Sequence, residues 1–135
     1  TGEKEKIVKS AFLLLSITLL VFGANRSALA DQVADFQFAA AKELRKQLPM
    51  KADELTTLVT VASAGRMLMY SFRVEIEKER IPSDFIGKQE ANLKHNLCAH
   101  PTMRKVMKKG ASYSYLYTDI RGKFVAEIKV KNSDC

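Results

Sequence analysis

The sequence predicts an α+β domain: a four-stranded antiparallel sheet made of two β-hairpins, with helices packed on one of its faces and one disulfide. Three observations predict it. Two stretches alternate apolar and polar residues with period two, each broken by a glycine-containing turn. Segments with apolar residues three and four apart lie before the first hairpin and between the two. The two cysteines, Cys98 and Cys135, both fall downstream of what reads as an export signal.

At the N-terminus Lys4, Lys6 and Lys9 precede an apolar run from Ala11 to Ala24, followed by Asn25-Arg26-Ser27 and Ala28-Leu29-Ala30. A basic start, an apolar run and a small-x-small site make residues 1–30 a secretory signal peptide cleaved after Ala30. As a helix the run is about 21 Å long, against about 30 Å for the hydrocarbon core of a bilayer. Extended back to Ile7, with Lys9 reaching the interface, it becomes about 27 Å, and an uncleaved anchor helix is the alternative. The protein is accordingly expected to be periplasmic or secreted, touching a membrane only if this helix is kept. No cysteine lies directly after the cleavage site to carry a lipid.

Residues 31–135 are expected to form a single domain. Of the 22 basic and 15 acidic residues, Lys4, Lys6, Lys9, Arg26, Glu3 and Glu5 belong to the signal, leaving 18 − 13 = +5. That excess attracts anionic surfaces loosely and falls short of a nucleic-acid footprint. An even cysteine count in an exported chain reads as a Cys98–Cys135 disulfide, free thiols or an intermolecular bridge being the alternatives. The bond would close a loop worth about 4 kcal/mol in chain entropy and tie down the last residue.

From Asp31 to Leu48 the apolar residues Val33, Phe36, Ala40, Ala41, Leu44 and Leu48 share one helical stripe, with Lys42, Glu43, Arg45 and Lys46 opposite and Pro49 as the stop. Leu55, Thr57, Val59 and Val61 then alternate up to the turn Ser63-Ala64-Gly65. Leu68, Tyr70, Phe72, Val74 and Ile76 alternate after it, completing the first hairpin. Pro82, Ser83 and Asp84 open a helix with a stripe of Phe85, Ile86, Leu93 and Leu97. Pro101 suits the first position of another, with Met103, Val106 and Met107 inward and Gly110 as its cap. The second hairpin alternates Tyr113, Tyr115 and Tyr117 with Ser112, Ser114 and Leu116, turns at Asp119-Ile120-Arg121-Gly122, and returns through Phe124, Ala126, Ile128 and Val130. The serines are expected to face water and the tyrosines the helices.

Few residues carry chemistry. His95, Cys98 and His100 form a zinc-compatible set of donor types, but the spacing fits no closed site and Cys98 has a better use in the disulfide. Oxidation also removes the thiolate that a Cys/His nucleophile needs. Asp31, Asp35, Asp53 and Glu54 belong to no pocket signature. Neither a cofactor, a small-molecule substrate nor an enzyme activity is expected. Met67, Met69, Met103 and Met107 would line an adaptable groove or fill gaps in the core. Arg104, Lys105, Lys108 and Lys109 make a basic cluster near Gly110, either a solvated face or a site for an anion or an acidic protein partner.

The stretch from Leu48 to Cys135 carries Leu48-Pro49, Asp53, Thr56, Tyr70-Ser71-Phe72, Cys98, Pro101, Arg104, Gly110, Tyr115-Leu116-Tyr117, Asp119, Gly122 and Asp134-Cys135. This pattern resembles a family of small exported proteins of Gram-negative bacteria that includes a quorum-sensing-regulated virulence factor. The resemblance implies fold, compartment and disulfide, together with a link to virulence, and no enzymatic mechanism. The chain is also similar to the pilotins of type II secretion systems, which share the exported α+β character with a disulfide. Those are lipoproteins, and the absence of a cysteine directly after Ala30 counts against that role here.

Overall fold

The computed structural model describes residues 29–135. The segment read as a signal peptide or anchor lies outside that range, except for Leu29 and Ala30, which begin the first helix. Among the described residues no helix is long and apolar enough to cross a membrane.

Helix α1 (Leu29–Arg45) leads into strands β1 (Met50–Lys51), β2 (Thr56–Ala64) and β3 (Met67–Val74). A 3-10 turn at Lys78–Arg80 precedes helices α2 (Phe85–Ala99) and α3 (Pro101–Lys108). Strands β4 (Ser112–Thr118) and β5 (Phe124–Val130) and a 3-10 turn at Asn132–Asp134 complete the domain. The expected helices and hairpins are therefore present. The sheet they form is not the one expected.

It has five strands in the order β1-β2-β3-β4-β5, and it is mixed: β3 and β4 run parallel, all other neighbours antiparallel. The physical reason lies in the connection. Adjacent antiparallel strands need only a tight turn, whereas a helical crossover carries the chain back to its starting end before the next strand begins. Here α2 and α3 form that crossover, and Met67 ends up opposite Ser112. The fifth strand is β1, whose two residues pair with Leu58 and Thr57. Two residues are too few for alternation to be visible.

Bulges correct two further expectations. The register between β2 and β3 slips between Leu58 and Thr60, and Leu58 and Val61 become the buried pair rather than Val59 and Val61. A second slip between Tyr117 and Thr118 sets Phe124 opposite Thr118, leaving its ring 58% exposed instead of continuing the face of Ile128 and Val130.

The core lies between the helices and one face of the sheet. Val33, Phe36, Ala40, Ala41 and Leu44 of α1 are buried, as are Leu97 of α2 and Met103, Val106 and Met107 of α3. From the sheet come Leu68, Tyr70, Phe72 and Val74, the whole row Tyr113, Tyr115 and Tyr117, and Ile128 and Val130. The tyrosines thus face the helices, as the alternation requires. Parallel pairing aligns Tyr70 with Tyr115 and Phe72 with Tyr117. Their rings stack at 5.0 and 5.2 Å, and Phe85 of α2 meets Tyr117 edge-on at 6.2 Å.

Ser114 departs from the expectation of an exposed opposite face. It is buried, because β4 is flanked on both sides and the Ser114 hydroxyl donates to Glu127 at 2.8 Å. The helix stripe read from the sequence leaves out a polar core residue. Gln37 lies on the inner stripe of α1, fully buried, and its amide nitrogen donates to the carbonyls of Arg66 at 3.0 Å and Ser112 at 3.3 Å. It pins α1 to the ends of β3 and β4 that the parallel register brings together.

Candidate functional site

Helix α3 builds the basic surface. Pro101 occupies its first turn, and the His100 ring caps it by accepting the Met103 amide at 3.3 Å. Burial of Met103, Val106 and Met107 on one side leaves Lys105 and Lys108 exposed on the other. Gly110 ends the helix with φ +106°, a conformation open to glycine at little cost. Lys105, Lys108 and Lys109 are exposed and make no ion pair among the described residues.

Arg104 does not join them as a free cation. Its guanidinium donates to the Asn132 carbonyl at 3.1 Å and to the Asn132 side chain, holding the C-terminal 3-10 turn against α3. That turn ends at Cys135, which is bonded to Cys98 with Cα atoms 5.5 Å apart. Disulfide and guanidinium therefore fasten the same strap at two points. Arg66, by contrast, was not among the expected residues and belongs to the cluster. It is exposed in the β2–β3 turn, and a Cβ placed on Gly110 would lie 2.9 Å from its guanidinium. Its distance from Lys108 in sequence hid this, and only the parallel register reveals it.

The other candidate residues do not assemble into a reactive centre. His95 is exposed, His100 is a helix cap and Cys98 is oxidised. Among the described residues no group of three or more histidines, cysteines or acids is placed to hold a metal. Met103 and Met107 fill the core while Met67 and Met69 sit half-buried on the sheet's open face, and the four line no common groove.

Among the buried groups two sets have displaced pKa values, and both are structural. Burial raises the tyrosine hydroxyls of the stack, Tyr70 and Tyr115 most strongly, with neighbouring tyrosines adding to the effect. Asp119, fully buried, holds the opposite corner of the sheet. It accepts the amides of Lys78 at 2.9 Å and of Arg121 and Lys123 at 2.8 Å each. Burial alone would raise its carboxyl, but those amides and the Arg121 charge outweigh it and hold it below the usual carboxylate value. Outside it Arg121 pairs with Glu79 at 2.6 Å, a surface contact of small energetic weight.

No protein-family model matches the chain, and no curated protein does. Three solved structures share the fold. A candidate secreted protein of Pseudomonas aeruginosa superposes with a TM-score of 0.68 at 19% identity, over 82% of this chain and 99% of that one. The pilotin EpsS of the Vibrio vulnificus type 2 secretion system gives 0.69 at 14% identity, over 79% and 94%. The pilotin AspS of the Vibrio cholerae type II secretion system gives 0.63 at 16%, over 79% and 95%. At these identities the likeness establishes the fold. It agrees with the resemblance to pilotins, whereas no comparison returns the virulence-factor family.

Proposed function

We propose that this protein is a non-catalytic protein-binding module exported from the cytoplasm, and that its basic end engages an acidic partner. The observation that carries this reading is the trio Lys105, Lys108 and Lys109, unpaired among the described residues and extended by Arg66, at the helix end that Gly110 closes. Lys46, Lys88, Lys94, Lys123 and Lys129 stand within reach of a carboxylate, whereas Lys105, Lys108 and Lys109 are gathered on one short stretch without one among the described residues. Cations left uncompensated at one end raise the local potential and steer an acidic surface toward it. The fold shared with two pilotins favours a role in assembling an envelope or secretion machine, and the resemblance to the virulence-factor family favours a role in virulence.

Charge reversal tests the site. The triple variant Lys105→Glu, Lys108→Glu, Lys109→Glu should melt like the wild type, because all three side chains are exposed. Chemical cross-linking in the native envelope should capture a partner with the wild type and lose it with the variant. Equal capture by both would reject the basic end. Mass measurement of the envelope protein separates the two settings: loss of residues 1–30 marks a released module, retention an anchored assembly factor.

A further inference from the structure

The two edges of the sheet differ. On one side β2 is covered along part of its length by β1, kinked by the bulge at Val59, and met at the Val61 carbonyl by the Arg45 guanidinium at 3.1 Å. On the other side β5 ends the sheet, and among the described residues no strand pairs with its outer edge. A strand of seven residues with an unpaired row of backbone donors and acceptors is a template for another strand. On its outward face Glu127 and Lys129 stand 40% and 65% exposed. On its inward face are Ala126, Ile128 and Val130.

We infer that β5 pairs with β5 of a second copy of this chain, antiparallel about a twofold axis at Ile128, to make one continuous ten-stranded sheet. Symmetry limits the choice of register. In an antiparallel pair of identical edges, opposed residues must both point their amides across the gap or both point them away, and the two residue numbers therefore sum to an even number. A sum of 254 sets Glu127 against its own copy, and a sum of 258 does the same to Lys129; like charges directly opposite repel. A sum of 256 sets Glu127 against the second copy's Lys129 twice over. It also places Ile128 on Ile128 and Val130 on Ala126 along the inward face. Edges that resist self-association carry charges that repel their own copy. This sequence of signs, acid and base on either side of the axis residue, attracts its own copy.

Because Ile128 and Val130 are already buried within one chain, the pairing adds backbone hydrogen bonds and charge pairs rather than much apolar area. The dimer should therefore be concentration-dependent and weakened by salt. Sedimentation of the full chain tests it with four proteins. Wild type should sediment as a dimer at high concentration. Glu127→Lys alone and Lys129→Glu alone should each be monomeric, since each sets like charges across the axis. An equimolar mixture of these two variants should associate, and the double swap Glu127→Lys, Lys129→Glu should dimerise again. Thermal melts check that all four fold: both side chains are exposed, while Glu127→Lys gives up the acceptor of the Ser114 hydroxyl. A wild type that stays monomeric up to millimolar concentration would overturn the pairing, whether or not β5 binds another protein. So would single variants that dimerise as well as the wild type, or a mixture that fails to associate.

Discussion

Replacing Tyr115 by alanine removes the centre of the aromatic stack. Tyr115 is 4% exposed, on a strand flanked by β3 and β5, with its ring 5.0 Å from Tyr70 at an interplanar angle of 3° and 6.3 Å from Phe72. Its neighbour on β5 is Ile128. Truncating a large buried aromatic costs about 3–5 kcal/mol, and a position held on both sides by paired strands cannot collapse into the space left behind. We expect the upper part of that range, about 4–5 kcal/mol, out of a total of about 5–15 kcal/mol for a domain of this size. With a urea dependence of about 2 kcal/mol per molar, the midpoint should fall by about 2 M. Urea unfolding followed by far-ultraviolet circular dichroism reads it. Tyr115→Phe keeps the ring and should stay within about 1 kcal/mol of wild type. An alanine variant with an unchanged midpoint would mean that the ring faces a partner rather than the core.

Three further outcomes rest on named groups. All four tyrosines, Tyr70, Tyr113, Tyr115 and Tyr117, belong to the buried row, and burial raises each hydroxyl. Their contribution to stability is full below the unfolded value near 10 and lost as pH rises above it. Tyrosinate absorbance should therefore appear in one cooperative step together with unfolding; gradual ionisation of a folded protein would contradict it. Asp119 acts at the acid end: its lowered pKa gives stability that is present above about pH 4 and lost as pH falls through the folded value. Asp119→Asn should flatten the acid limb of a stability-versus-pH curve, and an unaltered limb would assign acid sensitivity elsewhere. Cys135→Ser opens a loop spanning a separation of 37 residues and should cost about 4 kcal/mol by chemical denaturation. A change under about 1 kcal/mol would mean that the Arg104–Asn132 contacts alone hold the strap.

What could be read in advance follows the range over which each signal acts. Helix α3 is legible because its information is local: proline first, glycine last, and an inner face of Met103, Val106 and Met107. Strands β3 and β4 are legible because alternation survives any pairing partner, and the burial of the tyrosine row follows from it. The pairing itself is not local. Period two is the same in parallel and antiparallel strands, and the direction in which β4 meets β3 is set by the crossover between them. Bulges at Val59 and near Val125 shift parity by one residue without changing composition, and alternation alone therefore puts Val59 and Phe124 on the wrong face. Gln37 and Asp119 look like ordinary polar positions in sequence. Their weight comes from carbonyls and amides that arrive from distant segments.

The direction of that one strand pair also decides what the candidate surface contains. Parallel pairing puts the starts of β3 and β4 side by side, and the β2–β3 turn with Arg66 therefore lies against Gly110 and the end of α3. It equally puts the ends of β3 and β4 together, which is how Asp119 reaches the Lys78 amide and the Ile120 amide reaches the Ile76 carbonyl. Had β3 and β4 paired antiparallel instead, Arg66 would stand beside Asp119, and the α3 lysines would be alone. Arg66→Glu consequently separates two descriptions of the surface. If the basic end works as one patch, this substitution in the β2–β3 turn should weaken capture of the partner, as the triple lysine reversal on α3 should, with an unchanged melting temperature. If it leaves capture intact while the lysine reversals abolish it, the contact is confined to α3, and the convergence of Arg66 with Gly110 serves packing alone.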